Sequence, residues 1–444
     1  MLFHSKFSKD VSPGMPHPTP RSSTVHRKLV FLLAALPVAG LYLYGRVPAP
    51  AYAAQTLPAA EPLAPAALAA LGKQIFFDPS LSASGHISCA TCHNPAHAYG
   101  PPNGLAVQLG GPGMDRQGMR AVPSLRYVLN RTPFYNQNYV ADPIERLREG
   151  VEPPTGGLGW DGRFNTLREQ AAFPLLAANE MANASPQEVA AKLQRAPYAA
   201  EFRKLFGAHI FADPAKAYAQ ALAALERFEL DDPSFHPYNS KYDDYLDGKA
   251  QLSDRERRGL ALFDDAKRGN CASCHIDRKG ADGSHPLLTD YEFEALGVPR
   301  NPEIRANSDP GYYDMGLCGP LRTDQAAQAG QPQNCGLFKT PTLRNVATRG
   351  VFFHNGHFHS LREALRFYVR RDTDPRLWYP VSASGVIKFD DLPEDKRRNV
   401  DVIDEPLTRT EGAAPAWSDA EIEDVIAFLK TLSDRDVVSA IEAR

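Results

Sequence analysis

Sulfur and indole are scarce in this chain. Its 444 residues include six Cys, six Met and three Trp, so any patterned cysteines stand out. Charge of one sign is scarce too: the formal net charge is -3. That gives no basis for a nucleic-acid or polybasic membrane surface. Period-two alternation of apolar and polar residues is rare, which predicts a mainly α fold. The N-terminal apolar run, Leu29 to Tyr44, has 16 residues and contains Pro37. It is short of the ~20 residues that span a bilayer. What is plentiful is Pro (38) and Gly (32), beside an apolar share of 43%. That mixture predicts many loops around short helices rather than disorder.

Arg27 and Lys28 precede the apolar run, and Ala51-Tyr52-Ala53 follows it. This is the charged, apolar and small-residue order of an export signal. Cleavage after Ala53 and an uncleaved membrane anchor are the two readings. Residues 1–53 are therefore set aside as signal or anchor, and 54–65 as a linker. Export to the periplasm makes the pairing of Cys318 with Cys335 a disulfide candidate.

The other four cysteines form two copies of one phrase. Cys89-Ala-Thr-Cys92-His93 and Cys271-Ala-Ser-Cys274-His275 both read Cys-x-x-Cys-His, the attachment signature of a c-type haem. Two thiols one helical turn apart can add to the two vinyl groups of a porphyrin, and the following His is carried beneath the iron. A CxxC redox pair or a shared four-cysteine zinc site would explain the thiols but not the His after each pair. Two covalent haems are the expected cofactors, with iron on His93 and His275.

A similar phrase precedes each motif: Gly72-Lys-Gln-Ile75-Phe76-Phe77-Asp78 and Gly259-Leu-Ala-Leu262-Phe263-Asp264-Asp265. This weak repeat predicts two related halves, at 66–235 and 245–435, with the boundary in the polar, turn-rich stretch 231–248. Helices are expected from Ser185-Pro186 to about Phe206 and from Asp213-Pro214 to about Leu230. Others start at Ser253, Ser360 and Ser418, each with Glu three residues on. Residues 277–333 read as a long loop.

The chain resembles the bacterial di-haem cytochrome c peroxidase and MauG family. The resemblance runs from about Gly72 to Leu432. It is carried by Phe77-Asp-Pro-Ser-Leu-Ser-Ala-Ser84, both haem motifs, Trp160-Asp-Gly-Arg163, Asn179-Glu180-Met181, Lys339-Thr-Pro-Thr-Leu-Arg-Asn345 and Phe352-Phe-His-Asn-Gly356. It implies a mainly α fold: two cytochrome-c-like haem domains packed together, with long loops and little strand. The first would carry the peroxidatic haem, the second the electron-transfer haem.

The resemblance also implies roles. Glu180 matches the acid–base residue that moves a proton between the two oxygens of peroxide. From residue type alone it would be a solvated helix-end charge. Gln170 and Pro174 match the pocket lining, and Trp160 matches the indole between the haems. Relatives that rest inactive carry a distal His in the loop after the first motif. Here Gly110–Arg120 holds none, which implies a first haem open without reductive activation. His97 is read as structural. Peroxidases place a Met as sixth ligand of the second haem and MauG places a Tyr. Tyr368 lies at that position, fourteen residues after His354, which places this chain with the MauG-like members. His354, His357, His359 and Met315 are rival ligands, with His354 read as supporting. A phenolate favours higher oxidation states of iron. The family's calcium would use the carbonyls of Arg349 and Val351 and an Asn side chain. That Asn is Ala121 here, which makes calcium doubtful.

The expected function is a periplasmic peroxidase that reduces hydrogen peroxide and draws electrons from a small donor protein, a cytochrome c or cupredoxin. The alternative is MauG-like oxidation of a Trp or other side chain in a partner protein. A non-catalytic electron carrier is the third reading.

Overall fold

The computed structural model describes residues 64–127, 131–136, 154–324 and 331–442. The apolar run at Leu29, the expected signal or anchor and almost all of the linker lie outside these residues. Among the described residues, no helix is long and apolar enough to cross a membrane.

The fold is mainly α. Helix α1 (Pro65–Phe76) leads into the single turn α2 (Cys89–Cys92). A two-residue hairpin follows, β1 (Leu109–Gly110) with β2 (Arg116–Gln117). Then come α3 (Leu167–Leu176), α4 (Pro186–Arg195), α5 (Ala199–Phe206) and the long α6 (Pro214–Asp231). The chain continues through α7 (Lys241–Leu246), α8 (Asp254–Asp264) and the single turn α9 (Cys271–Cys274). Strand β3 (Phe293–Glu294) pairs antiparallel with β4 (Phe338–Lys339). Helix α10 (Leu361–Arg370), a hairpin of β5 (Val381–Ser382) and β6 (Gly385–Val386), α11 (Asp419–Lys430) and α12 (Arg435–Glu442) complete it.

Local chemistry sets most of these boundaries. Ser253 and Ser418 each accept the amide of the Glu three residues on, and each Glu returns the bond. At α10 the reciprocal bond is altered. The Glu363 carboxylate takes the Ser360 hydroxyl and the His359 amide instead. The helix expected from Ser185 to Phe206 is two helices, because Pro197 has no amide to donate and bars α geometry at Ala196. The polar stretch 231–248 is not all turn. Ser240 and Asp243 make a capping box that supports α7.

The apolar stripes build two cores. One joins Leu71, Ile75 and Phe76 to Leu225, Phe228 and Phe235. The other joins Phe263 to Phe367, Ile422, Val425 and Phe428. The repeated Gly-x-x-x-Phe phrase does the same work in each. A Cβ on Gly72 would lie 1.9 Å from the Ala224 carbonyl oxygen, and a Cβ on Gly259 would lie 2.0 Å from that of Asp424. So α1 crosses α6, and α8 crosses α11, at backbone contact. One turn later Phe76 meets Phe228 edge-on at 5.4 Å, and Phe263 meets Phe428 at 5.2 Å. Each buried Phe contributes roughly 2 kcal/mol.

Polar ties join distant segments of the compact unit Glu61–Arg444. Buried Asp434 accepts from Arg126 at 2.9 Å, Tyr127 at 2.5 Å and Asn345 at 2.6 Å. Cys318 and Cys335 form a disulfide across the 277–333 loop region. Replacing Gly259 by Ala drives a methyl into the α11 backbone. We expect a loss of about 3 kcal/mol in stability, measured by denaturant unfolding. A loss within 0.5 kcal/mol, the range of an ordinary surface change, would contradict the crossing.

Candidate di-haem site

Both motif turns open onto one cavity of about 540 Å³. Its wall includes Cys89, Cys92, His93, Cys271, Cys274 and His275. Trp160, Gln170, Pro174, Glu180, His354 and Tyr368 line it too. The sequence-predicted site is therefore brought together from segments that span most of the chain. The rival ligands separate. Met315 packs against the second core, and His359 pairs with Glu303 at 2.8 Å on the surface. Neither lines the cavity, nor does His357, whereas His97, read as structural, does.

The two turns are built alike. The His93 amide donates to Cys89 O and the His275 amide to Cys271 O, each at 2.8 Å. Nδ1 of His93 lies 3.0 Å from the Tyr99 carbonyl, and Nδ1 of His275 lies 2.9 Å from that of Leu288. A carbonyl only accepts, so both imidazoles carry their proton on Nδ1. That leaves Nε2 as a free donor pair for a metal. Burial pushes both imidazoles down to about 4, so they are neutral at pH 7.

The thiols answer the redox-pair and zinc alternatives. Cys89, Cys92, Cys271 and Cys274 are not disulfide-bonded. Burial pushes Cys92 and Cys271 up to about 12 and the other two higher. A redox pair needs a lowered thiol. A shared zinc site needs the pairs together, and no group of three or more Cys, His, Asp or Glu that could hold a metal occurs among the described residues.

Glu180 is half-buried and faces the cavity. Burial raises its carboxyl to about 7, against the opposing pull of Arg163. Its segment is pinned from behind. The Gly111 amide donates to Glu180 O at 2.8 Å, and a Cβ on Gly110 would strike the Asn179 carbonyl at 2.3 Å. The histidine-free loop thus packs directly on the Glu180 backbone. Arg163 is itself held by Asp161 at 3.3 Å and lies over the Phe173 ring at 4.7 Å.

Trp160 is tied on both sides. Its indole N–H donates to Ala121 O at 2.8 Å, and its carbonyl accepts from the Lys339 amide at 2.8 Å. Below it, Arg120 bridges buried Asp161 and Asp314 at 2.7 and 2.6 Å. His354 stacks on Phe338 at 3.5 Å and turns Nε2 toward Asp391, 3.5 Å away. Tyr368 faces the cavity from α10, and burial among Cys271 and Cys274 pushes its phenol well up. Only a cation beside it would make the phenolate stable at neutral pH.

The sequence reading assigns no site role to the side chains of three cavity residues. Buried Glu229 has an unpartnered Oε2 and a carboxyl raised to about 8 by burial. An acid four residues after Leu225, on the face packed against α1, was its only signal. Lys339 donates to the Gly157 carbonyl, and Arg349 to those of Val351 and Val122. Neither forms a salt bridge with a carboxylate among the described residues. Two haems fit this wall. It offers paired neutral thiols, two imidazoles with free Nε2, and two half-buried cations for the carboxylates that a haem carries.

The class defined here is a di-haem peroxidase. A sequence model of the family described as di-haem cytochrome c peroxidase matches residues 66–251. The methylamine utilization protein MauG of Paracoccus denitrificans is 33% identical over 396 residues, 88% of this chain and 93% of that one. The cytochrome c551 peroxidase of Nitrosomonas europaea is 29% identical, covering 67% of this chain and 71% of that protein. The crystal structure of the di-haem peroxidase BthA from Burkholderia thailandensis superposes with a TM-score of 0.73 at 39% identity, covering 84% of this chain and 87% of that one. The chain belongs to the di-haem cytochrome c peroxidase and MauG family, and so is an oxidoreductase of the peroxidase type with two haem cofactors.

Replacing Arg163 by Met removes the charge that opposes burial at Glu180. The carboxyl should then titrate above its value of about 7, measured by pH-dependent difference infrared spectroscopy. A midpoint that stays or falls would contradict this electrostatic reading.

Proposed function

We propose that this protein is a periplasmic c-type peroxidase that reduces hydrogen peroxide at the His93 site, with Glu180 as the acid–base residue. The observation that carries this reading is a carboxyl raised to about 7 on the wall of the cavity that holds both motifs. The haem on Cys89, Cys92 and His93, when bound, supplies the iron that binds peroxide and takes up its oxidising equivalents. The protein's part is proton movement and position. Glu180 takes the proton from the near oxygen and delivers it to the far one, and a carboxyl near 7 serves both steps at neutral pH. Gln170 and Pro174 shape the wall, and the mostly apolar lining keeps water from competing. The two halves, 66–235 and 245–435, each carry one haem, attached covalently through its paired thiols after export.

Trp160 is the relay between the two sites. Its indole is fixed by the bond to Ala121, and its backbone carbonyl is joined to β4, which supports that role. Tyr368 would hold the iron of the second haem and supply it with a hard anionic donor. Electrons come from a small donor protein, a cytochrome c or cupredoxin. A second reading, MauG-like oxidation of a side chain in a partner protein, is favoured by Tyr368 and by the 33% identity to a MauG. Stopped-flow mixing with peroxide separates the two. Fast turnover with a reduced cytochrome supports the first, and a long-lived oxidised state with slow cytochrome oxidation supports the second.

Glu180→Gln should lower kcat/KM for peroxide by about 10²–10⁴-fold with both haems attached. In the unaltered protein kcat/KM should rise with pH through about 7, because only the carboxylate accepts the first proton. An unchanged rate in the variant overturns the assignment. Tyr368→Phe should alter the optical spectrum and midpoint potential of the second haem only. Identical spectra in this variant would remove Tyr368 as the ligand.

A further inference from the structure

We propose that the Arg349 guanidinium is a resident cation in the seam between the two haem sites, taking the place of a bound divalent metal and clamping one site's loop to the other's turn. This inference rests on the two-haem reading of the cavity and not on the peroxidase reading.

The clamp is visible in the bonding. Arg349 Nε donates to Val351 O at 3.2 Å within its own turn, and Nη2 donates to Val122 O at 3.1 Å, 227 residues away in sequence. The Ala121 amide donates to His354 O at 2.7 Å, and the Ala121 carbonyl takes the Trp160 indole at 2.8 Å. Arg349 thus fastens the strap on which Trp160 hangs. The turn is also pressed close: a Cβ on Gly350 would stand 3.0 Å from the Asn103 carbonyl oxygen.

The charge has no carboxylate counter-ion among the described residues. Arg349 makes no salt bridge among the described residues, and burial alone moves its pKa, down to about 10. It therefore stays charged at neutral pH. Calcium, which the family resemblance implies at this seam, does not fit these residues. Position 121 is Ala and offers no side-chain oxygen. The Val351 carbonyl, which the metal would share, already accepts from Arg349.

The test begins with holo-protein dialysed against EDTA. Metal analysis should find no stoichiometric calcium, and chelator should leave the haem spectra and thermal midpoint unchanged. A positive charge in the seam stabilises the reduced haems. Arg349→Met should therefore lower both haem midpoint potentials, and Arg349→Lys should restore most of the drop. Stoichiometric calcium in the dialysed protein, or potentials unmoved in Arg349→Met, would overturn the proposal. If Arg349→Met fails to fold, the calcium measurement on unaltered protein decides alone. Loss of peroxide turnover with these results intact would bear on the catalytic reading only.

Discussion

Two helix crossings at glycine hold this molecule in shape. At Gly72 and at Gly259 a helix presses its backbone onto a carbonyl of a partner helix, with no room for a methyl. Each crossing sets a Phe pair one turn further on and leads the chain into a Cys-x-x-Cys-His turn. Close packing transmits position, because interiors as dense as crystals do not yield gradually. The two turns therefore reach one cavity from opposite cores, and the site inherits its rigidity from the crossings.

On that shared frame the two sites diverge in chemistry. The first faces Glu180, whose carboxyl is balanced between burial and Arg163 near neutrality. The second faces Tyr368, whose phenol burial keeps protonated unless a cation lies beside it. One site offers a carboxyl that exchanges protons near neutrality, and the other a phenol that burial keeps protonated. Trp160 and Arg349 occupy the seam, the first held by a carbonyl of the strap and the second holding that strap in place. Buried cations and acids surround a cavity whose low dielectric makes each of them count.

Much of this was legible in the chain. The capping pairs at Ser253 and Ser418 act within four residues, and the structure forms both. The haem motifs are equally local, and the mainly α fold followed from the scarcity of alternation. The reason for the repeated Gly-x-x-x-Phe was not legible, since the carbonyl that Gly72 meets belongs to Ala224. The helix expected from Ser185 rests on its start signal alone, and Pro197 splits it. Glu180 looked like a solvated charge by residue type, because its depth depends on the distant loop at Gly110. In the sequence, Arg349 stands out only for its carbonyl. Its guanidinium finds Val122 through tertiary packing that no periodicity encodes.

The central claim is that two motifs of the same spelling hold unequal irons. Electron paramagnetic resonance of the oxidised holo-protein tests it most directly. The account predicts one high-spin signal from an open first haem and one low-spin signal from a six-coordinate second haem. Two low-spin signals would contradict it.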